Sequence, residues 1–519
     1  MNFKINNDAT KFILKDSTKE EFNQLKLYLN RYVKNYRFMP RYKMRIWDGK
    51  VDFFNNGIIN IGLWYEILKC CKEYGYSFNI ENKELFPKNK EVDKTELVEF
   101  CETFYKDHKL KGTTDPFFPY EHQIDSIYKI LIWKYGLIEV ATAGGKSLIF
   151  GTLVFYYLTK INKNAKFLLI VPTINLVTQF YNDIMEYNLG FNQDNKFPLD
   201  IKIDEIMSQQ PRKYFGDDSP NISIGTYQSL EKKDKIWLSQ FDVVCVDESH
   251  TAKSKTIQNI MTKTLGSAVL RFGMSGTYPP EGSAELFSIE NVTGPLINKV
   301  TAKTLMEKGL ISNVKIKSLI INYDDKSFAE NVFTIKKHGS GNKAWLLEKE
   351  YAQNSVKRKQ FLGKLIKKFK DNSLVLFINI DFGKSMYEYF KDNIPGIDFY
   401  YIDGGTNSKK RSLIQKTMEI TDGNIKVLIA SYGTLSTGVN IKSITNVILA
   451  DSYKSDQKVR QSIGRALRLH KDKEKAIIFD IVDRFHSSFK NILYTHYLYR
   501  KTEIYKKQEY PFDEIRIVI

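Results

Sequence analysis

Short, unbroken apolar runs recur along the chain, each leading into a stretch with helical periodicity. Gly136-Leu-Ile-Glu-Val140, Phe241-Asp-Val-Val-Cys-Val246 and Ala268-Val-Leu-Arg-Phe-Gly-Met274 read as strands, and residues 147–157 read as the helix after the first of them. From about residue 373 the alternation restarts, with strands at 374–379, 399–402, 426–431, 446–450 and 476–480 and a helix near 384–391. Repeated strand–helix units predict parallel sheets clothed by helices, and two separate sets predict two α/β lobes. Ahead of them lies a smaller α+β domain that ends in a charged loop at 81–94, a helix at 95–106 and the turn Lys111-Gly-Thr-Thr-Asp-Pro116. Behind them, residues 487–519 mix tyrosines with cations and predict one or two amphipathic helices packed on the second lobe. The expected domains are therefore 1–112, 113–300, 301–486 and a short helical extension at 487–519. A helix near 301–309 leads towards the second lobe, and residues 336–342 read as a mobile surface insertion. Each lobe has its own strand set, so the pair is expected to fold without residues 1–112.

At 519 residues the chain can hold two to four cores. Its formal charge of +18 points to a polyanionic partner. That charge is concentrated: residues 31–50 carry seven Lys or Arg against the single acid Asp48, interleaved with Tyr32, Tyr36, Phe38, Tyr42 and Trp47. Cations for phosphates and rings for bases suit nucleic acid, although such rings can equally fill a small core. Arg41, Arg45 and Trp47 are the candidate contacts. The four cysteines, Cys70, Cys71, Cys101 and Cys245, have no metal-ligand spacing and fit a reducing compartment. No apolar run is long enough to span a membrane and the first residues lack the apolar core of a signal peptide, so a cytoplasmic location without membrane contact is expected.

Three motifs add chemistry. Ala141-Thr142-Ala143-Gly144-Gly145-Lys146-Ser147 follows a strand and opens a helix, the context in which backbone N–H groups cradle phosphates. Lys146 would reach the β/γ oxygens of ATP and the Ser147 hydroxyl would ligate Mg2+. The first glycine of the general pattern is replaced by Val140. Asp247 and Glu248 emerge at the end of a strand, suited respectively to holding Mg2+ and to activating the attacking water. His250 follows and could couple this site to its surroundings, and Ser275 and Thr277, after the next strand, can bridge its elements. Last comes Gln461-Ser-Ile-Gly-Arg465-Ala-Leu-Arg468, whose two arginines lie three apart on one helical face and can meet one γ-phosphate. Upstream, Gln123 can present a donor and an acceptor to one adenine edge; the alternative is a solvated residue of the first helical turn. The ordered set predicts a nucleic-acid-dependent ATPase.

These motifs, with Val171-Pro-Thr173, Ile224-Gly-Thr226 and Ser436-Thr-Gly438-Val-Asn440, resemble superfamily 2 helicases over about residues 118–470. Tyr36-Arg-Phe-Met-Pro-Arg41 and Trp47-Asp-Gly-Lys50 resemble the N-terminal domain of the UvsW helicases of T-even-type bacteriophages. The resemblance implies two tandem RecA-like lobes of the P-loop NTPase class and a 3′→5′ DNA motor that remodels branched DNA and RNA–DNA hybrids in replication, recombination and repair. It implies nucleotide roles for Lys146, Ser147, Asp247, Glu248, Gly438, Gln461, Arg465 and Arg468, and strand-backbone contacts for Thr173 and Thr226. Single-stranded and branched DNA are the expected partners; protein partners are not specified. An ATP-switched annealing protein and the motor subunit of a restriction nuclease are the competing readings, the second weakened by the lack of a nuclease motif.

Overall fold

The apolar runs fold as parallel strands. The computed structural model describes every residue except 87, 89–91, 107, 110–116, 193–198, 207–219, 265–267, 421, 437–440, 442 and 452–474. The chain divides into two compact units, one formed by Met1–Val140 and Gly145–Val300 and the other by Thr301–Ile519 with the loop Ala141–Gly144.

The first unit opens with strands β1 (Asn2–Ile5), β2 (Lys11–Asp16), β3 (Asn30–Tyr32), β4 (Lys50–Asp52), β5 (Ile58–Asn60) and β6 (Asn79–Ile80). Four of them form a mixed sheet in the order β5-β2-β1-β6, while β3 and β4 pair as a separate antiparallel ribbon. Helix Lys19–Tyr28 begins with a capping box in which Thr18 and Glu21 satisfy each other's backbone N–H groups. Its Leu25 closes with Ile67 and Cys70, from helix Trp64–Tyr74, on Phe3 and Phe12. That core does not stop at the domain boundary, because Tyr135 and Phe287 from the following lobe belong to it. Trp64 stacks on Trp133 with ring centroids 5.3 Å apart, and a Cβ on Gly62 would lie 2.1 Å from the Glu290 carbonyl oxygen. Removing residues 1–112 would therefore strip the cover from three aromatic side chains of the first lobe, Trp133, Tyr135 and Phe287. Sequence patterning marks these residues as apolar but not as partners across a boundary.

The rest of this unit is a parallel sheet of β7 (Tyr135–Val140), β8 (Phe167–Val171), β9 (Ile203–Ile206), β10 (Ile222–Thr226), β11 (Val243–Asp247), β12 (Leu270–Ser275) and β13 (Leu296–Val300). The order is β13-β7-β12-β11-β8-β10-β9. Every residue of β7, β8, β10, β11 and β12 is buried, as expected for strands covered on both faces.

The second unit holds another parallel sheet, of β14 (Asn313–Asn322), β15 (Ser373–Phe377), β16 (Ile397–Ile402), β17 (Ile425–Ser431), β18 (Asn446–Leu449), β19 (Lys475–Arg484) and β20 (Phe512–Val518), in the order β16-β17-β15-β18-β19-β14-β20. Two of these strands were not legible in the pattern. In β14 the buried Val314 and Ile316 alternate with exposed Asn313 and Lys315, which dilutes the apolar run. The tail contains the expected helix, Ile492–Arg500, but its last residues add β20 as an edge strand parallel to β14. Residues 336–342 are not an insertion: helices Lys326–Lys337 and Gly341–Asn354 form a hairpin around a turn at His338–Ser340. No described helix is long and apolar enough to cross a membrane.

Buried ion pairs tie this unit together. Arg358 meets Asp483 at 2.7 and 3.0 Å and donates to the Ala450 carbonyl at 2.7 Å. Arg500 meets Asp480 at 2.8 and 3.1 Å, and the Tyr505 hydroxyl donates to the same carboxylate at 2.7 Å. The second pair fastens the tail to β19. Removing one partner of such a pair leaves an unpaired buried charge, at a cost of about 3–5 kcal/mol, whereas replacing both with apolar residues can be nearly neutral. Arg500→Ala is therefore expected to destabilise the second unit by that amount, and Arg500→Met combined with Asp480→Leu by much less. Urea unfolding followed by hydrogen exchange at β14, β19 and β20 checks both outcomes; equal losses would show that packing, not charge, holds the tail.

Candidate functional site

The site residues of the first unit gather at one edge of its sheet, because parallel strands all end on the same side. The phosphate loop leaves β7, Thr173 follows β8, Thr226 ends β10, Asp247 ends β11 and Ser275 ends β12. Val140, the departure from the glycine pattern, is still a strand residue, paired in register with Val300. No left-handed turn is needed there. The turn comes later, at Ala143 (φ +70°) and Gly145 (φ +79°). A Cβ at Gly145 would also lie 2.1 Å from Gln123 Nε2, so that amide would have to move. Helix Lys146–Tyr156 begins at once, so its first N–H groups have no partner within the helix and point towards the loop. Gln123 is buried rather than solvated, and its Oε1 accepts from the Tyr120 N–H at 2.8 Å while its amide group packs against this loop.

Lys146 Nζ lies 3.4 Å from Glu248 Oε1. Burial disfavours the Lys146 ammonium, but Glu248 and Asp247 more than offset it and raise its pKa. Burial likewise pushes the Glu248 carboxyl up; Lys146 and His250 overcome that and hold it below the usual carboxylate range. Asp247 goes the other way, raised by burial and then by the charge of Glu248. Its Oδ1 is buried without a hydrogen-bond partner. A buried carboxylate oxygen left unsatisfied and made hard to ionise is suited to a divalent cation, whose charge would reverse both penalties. Glu248 itself sits in the left-handed region at φ +47°, ψ +46°, where a non-glycine residue is strained by roughly 1–2 kcal/mol. Its carbonyl accepts from the Thr251 N–H and hydroxyl at 3.0 and 2.9 Å, which holds that conformation.

The coupling candidates do meet. Ser275 Oγ is 2.9 Å from His250 Nδ1, 3.3 Å from Glu248 Oε2 and 2.9 Å from the Thr277 carbonyl, and His250 Nδ1 is 3.3 Å from Glu248 Oε2. The hydroxyl has one proton for the Glu248 carboxylate and the Thr277 carbonyl, so those two contacts compete, while His250 Nδ1 donates or accepts according to its tautomer. Thr173 Oγ1 accepts from the Leu176 N–H at 3.4 Å and Thr226 Oγ1 from the Ser229 N–H at 3.4 Å, each at a helix start. Thr142 and Gly144 lie in the loop itself. Arg41 and Arg45 are exposed, whereas Trp47 is half-buried and donates its indole N–H to the Lys50 carbonyl at 2.7 Å. Gly438, Gln461, Arg465 and Arg468 fall outside the described residues. Two further side chains were missed from sequence: the Tyr187 hydroxyl is 3.2 Å from Ser147 Oγ, and the Tyr278 hydroxyl is 2.6 Å from Ser249 Oγ. Neither tyrosine belongs to a local motif, so no signal marked them.

The comparisons agree with this arrangement. Family models match for the N-terminal region of the DNA helicase UvsW over residues 8–81, for the res subunit of type III restriction enzymes over 117–280, and for the conserved C-terminal domain of helicases over 357–470. The ATP-dependent DNA helicase uvsW of Enterobacteria phage T4 is 30% identical over 472 residues, covering 90% of this chain and 88% of the relative. The DNA 3'-5' translocase XPB2 of Sulfurisphaera tokodaii is 24% identical over 455 residues, covering 81% of this chain and 92% of that protein. Among solved structures, the ATP-dependent Type ISP restriction-modification enzyme LlaBIII bound to DNA matches with a TM-score of 0.58 at 13% identity, over 88% of this chain and 36% of that one, a likeness of fold alone. Two parallel seven-stranded sheets of the RecA-like kind, a phosphate loop opposed by Asp247 and Glu248, and a full-length relative at this identity lead to one conclusion: the chain belongs to the UvsW family of ATP-dependent DNA helicases.

Proposed function

We propose that this helicase moves 3′→5′ along one DNA strand and uses that motion to remodel branched DNA and RNA–DNA hybrids in replication, recombination and repair. The ATP-driven part of the reading is carried by one observation, the convergence of Lys146, Glu248 and the orphaned Asp247 oxygen on a single sheet edge. The polarity is supported by the 3'-5' translocase among the relatives. In this reading Lys146 binds the β/γ oxygens of ATP, and the loop from Thr142 through Ala143, Gly144 and Gly145 cradles them. Ser147 and Asp247 are the residues that would hold Mg2+, which when bound neutralises charge on the phosphate oxygens. Glu248 orients the attacking water and takes its proton. Its basicity depends on Lys146: phosphate oxygens that draw the ammonium away remove the charge that holds the carboxyl low, so the base strengthens as the substrate arrives. Arg465 and Arg468 are assigned to the transferred phosphate, with Gln461 and Gly438 beside the nucleotide and Gln123 at the adenine edge.

His250, Ser275 and Thr277 are proposed to report the state of Glu248, since the Ser275 hydroxyl proton has both Glu248 and the Thr277 carbonyl within reach and His250 Nδ1 lies against both Ser275 and Glu248. Thr173 and Thr226 are assigned to the translocated strand's backbone, and Arg41 and Arg45 to duplex or branched DNA, with Trp47 bracing their segment. The protein is taken to act in the cytoplasm of the host cell.

Glu248→Gln keeps the shape and hydrogen-bonding reach of the side chain but cannot accept the proton. DNA-stimulated ATP turnover is expected to fall ~10²- to 10⁴-fold with nucleotide affinity retained, as read by steady-state hydrolysis alongside binding of a fluorescent ATP analogue. Parent-level turnover would remove Glu248 from the chemistry. Arg468→Ala is expected to lower turnover by ~10³-fold or more while single-strand affinity stays near normal; matched losses in both assays would make it a DNA contact instead. Strand displacement on forks, four-way junctions and R-loops tests the substrate assignment directly.

A further inference from the structure

Residues 31–50 use their rings to build themselves. Tyr32 stacks on Tyr36 at 4.5 Å, Tyr36 meets Tyr42 edge-on at 4.8 Å, and Trp47 is tied to the Lys50 carbonyl. Gly49, at φ +87°, makes room for this, since a Cβ there would lie 2.3 Å from the Tyr36 ring. Three apolar side chains are left outside: Phe38, Met44 and Ile46 are 74%, 65% and 63% exposed. A lone exposed apolar residue is ordinary. Here, however, Ile46 lines an open groove of about 530 Å³ together with Tyr42, Trp47, Arg37, Lys43 and Arg45, with Asp48 as its one acid. That volume lies in the ~300–1,000 Å³ range of small-molecule sites. Arg41, Lys43 and Arg45 form no ion pair among the described residues, so their charge is available to an anion.

Arg45 adds an independent mark. It stands at φ +58°, a conformation that favours glycine, at the end of the helical turn Pro40–Lys43. An arginine kept where glycine would be less strained points to a use for its side chain. Planar and apolar side chains for a base, with cations among them for its phosphate, describe a nucleotide. In intact duplex the bases are stacked and out of reach, so the nucleotide has to be one already unstacked.

We propose that this groove takes an unstacked nucleotide at a junction between single- and double-stranded DNA, so that the N-terminal domain recognises the branch point itself and not only the charge of the duplex. The inference rests on the reading of this segment as a DNA contact, and the test separates the two. The full-length chain without ATP is bound to a fork carrying 2-aminopurine at the junction, and to a blunt duplex of the same length. Binding to the fork is expected to raise 2-aminopurine fluorescence. Ile46→Ser, at an exposed position, is expected to abolish that rise and weaken fork binding by about 5- to 100-fold, the effect of losing one base contact, with duplex binding changed less than about twofold. Arg45→Gly is expected to weaken both substrates and lower the salt slope by about one, with an unchanged or higher melting temperature because the backbone is relieved. Flat fluorescence with the parent chain, or equal losses on fork and duplex for Ile46→Ser, overturns the nucleotide groove and leaves the phosphate contact standing. Unaltered binding of both substrates by Arg45→Gly and Ile46→Ser overturns the DNA reading as well.

Discussion

The register of β7, β12 and β11 is the constraint on which the site depends. Ser275 pairs with Glu139 and Asp247 with Met274, so the two carboxylates and Ser275 emerge within one residue of the same level, and the loop after β7 begins two residues beyond Glu139. Parallel strands allow this because every strand ends on one edge, and their burial on both faces fixes the register. A slip by one residue would turn Asp247 away from the loop and drive an apolar neighbour into its place. The fold thus supplies position, and the residues at the strand ends supply chemistry.

Two sets of buried charges among the described residues differ in how completely they are satisfied. Arg358 with Asp483 and Arg500 with Asp480 are two-pronged, each pair made of side chains about 1–2% exposed and reinforced by a carbonyl or a tyrosine hydroxyl. They hold elements together. At the sheet edge, by contrast, Lys146 reaches Glu248 through a single 3.4 Å contact, and Asp247 keeps an oxygen without a partner. Buried polar groups are normally hydrogen-bonded, so this loosely satisfied cluster is expensive unless something binds there. The strained backbone of Glu248 belongs to the same pattern.

A similar contrast separates two sets of apolar side chains in the N-terminal domain. Towards the first lobe its apolar side chains merge into a shared core through Trp64, Trp133, Tyr135 and Phe287. In residues 31–50 the rings pack on one another while Phe38, Met44 and Ile46 face outwards among cations. The first set joins the domain to the lobe's core, and the second leaves apolar side chains and cations exposed to solvent.

By itself the sequence determined the α/β class, three of the seven strands of the first lobe and five of the seven of the second, the phosphate-loop motif and the acidic pair, because continuous apolar runs and the residues that follow them are local signals. Gly145, Lys146, Ser147, Asp247 and Glu248 are legible for the same reason, as were the cations of residues 31–50. What only the tertiary structure decided depends on contacts between distant residues. It showed why Val140 can replace a glycine, since the strand runs through it. It turned the tail's last residues into β20 by pairing them with β14, placed Tyr187 beside Ser147, and spent the Trp47 indole on a backbone carbonyl. It also joined residues 1–112 to the first lobe through one core. Apolar spacing tells which side chains must be buried; which partner buries them is settled only when the chain has folded.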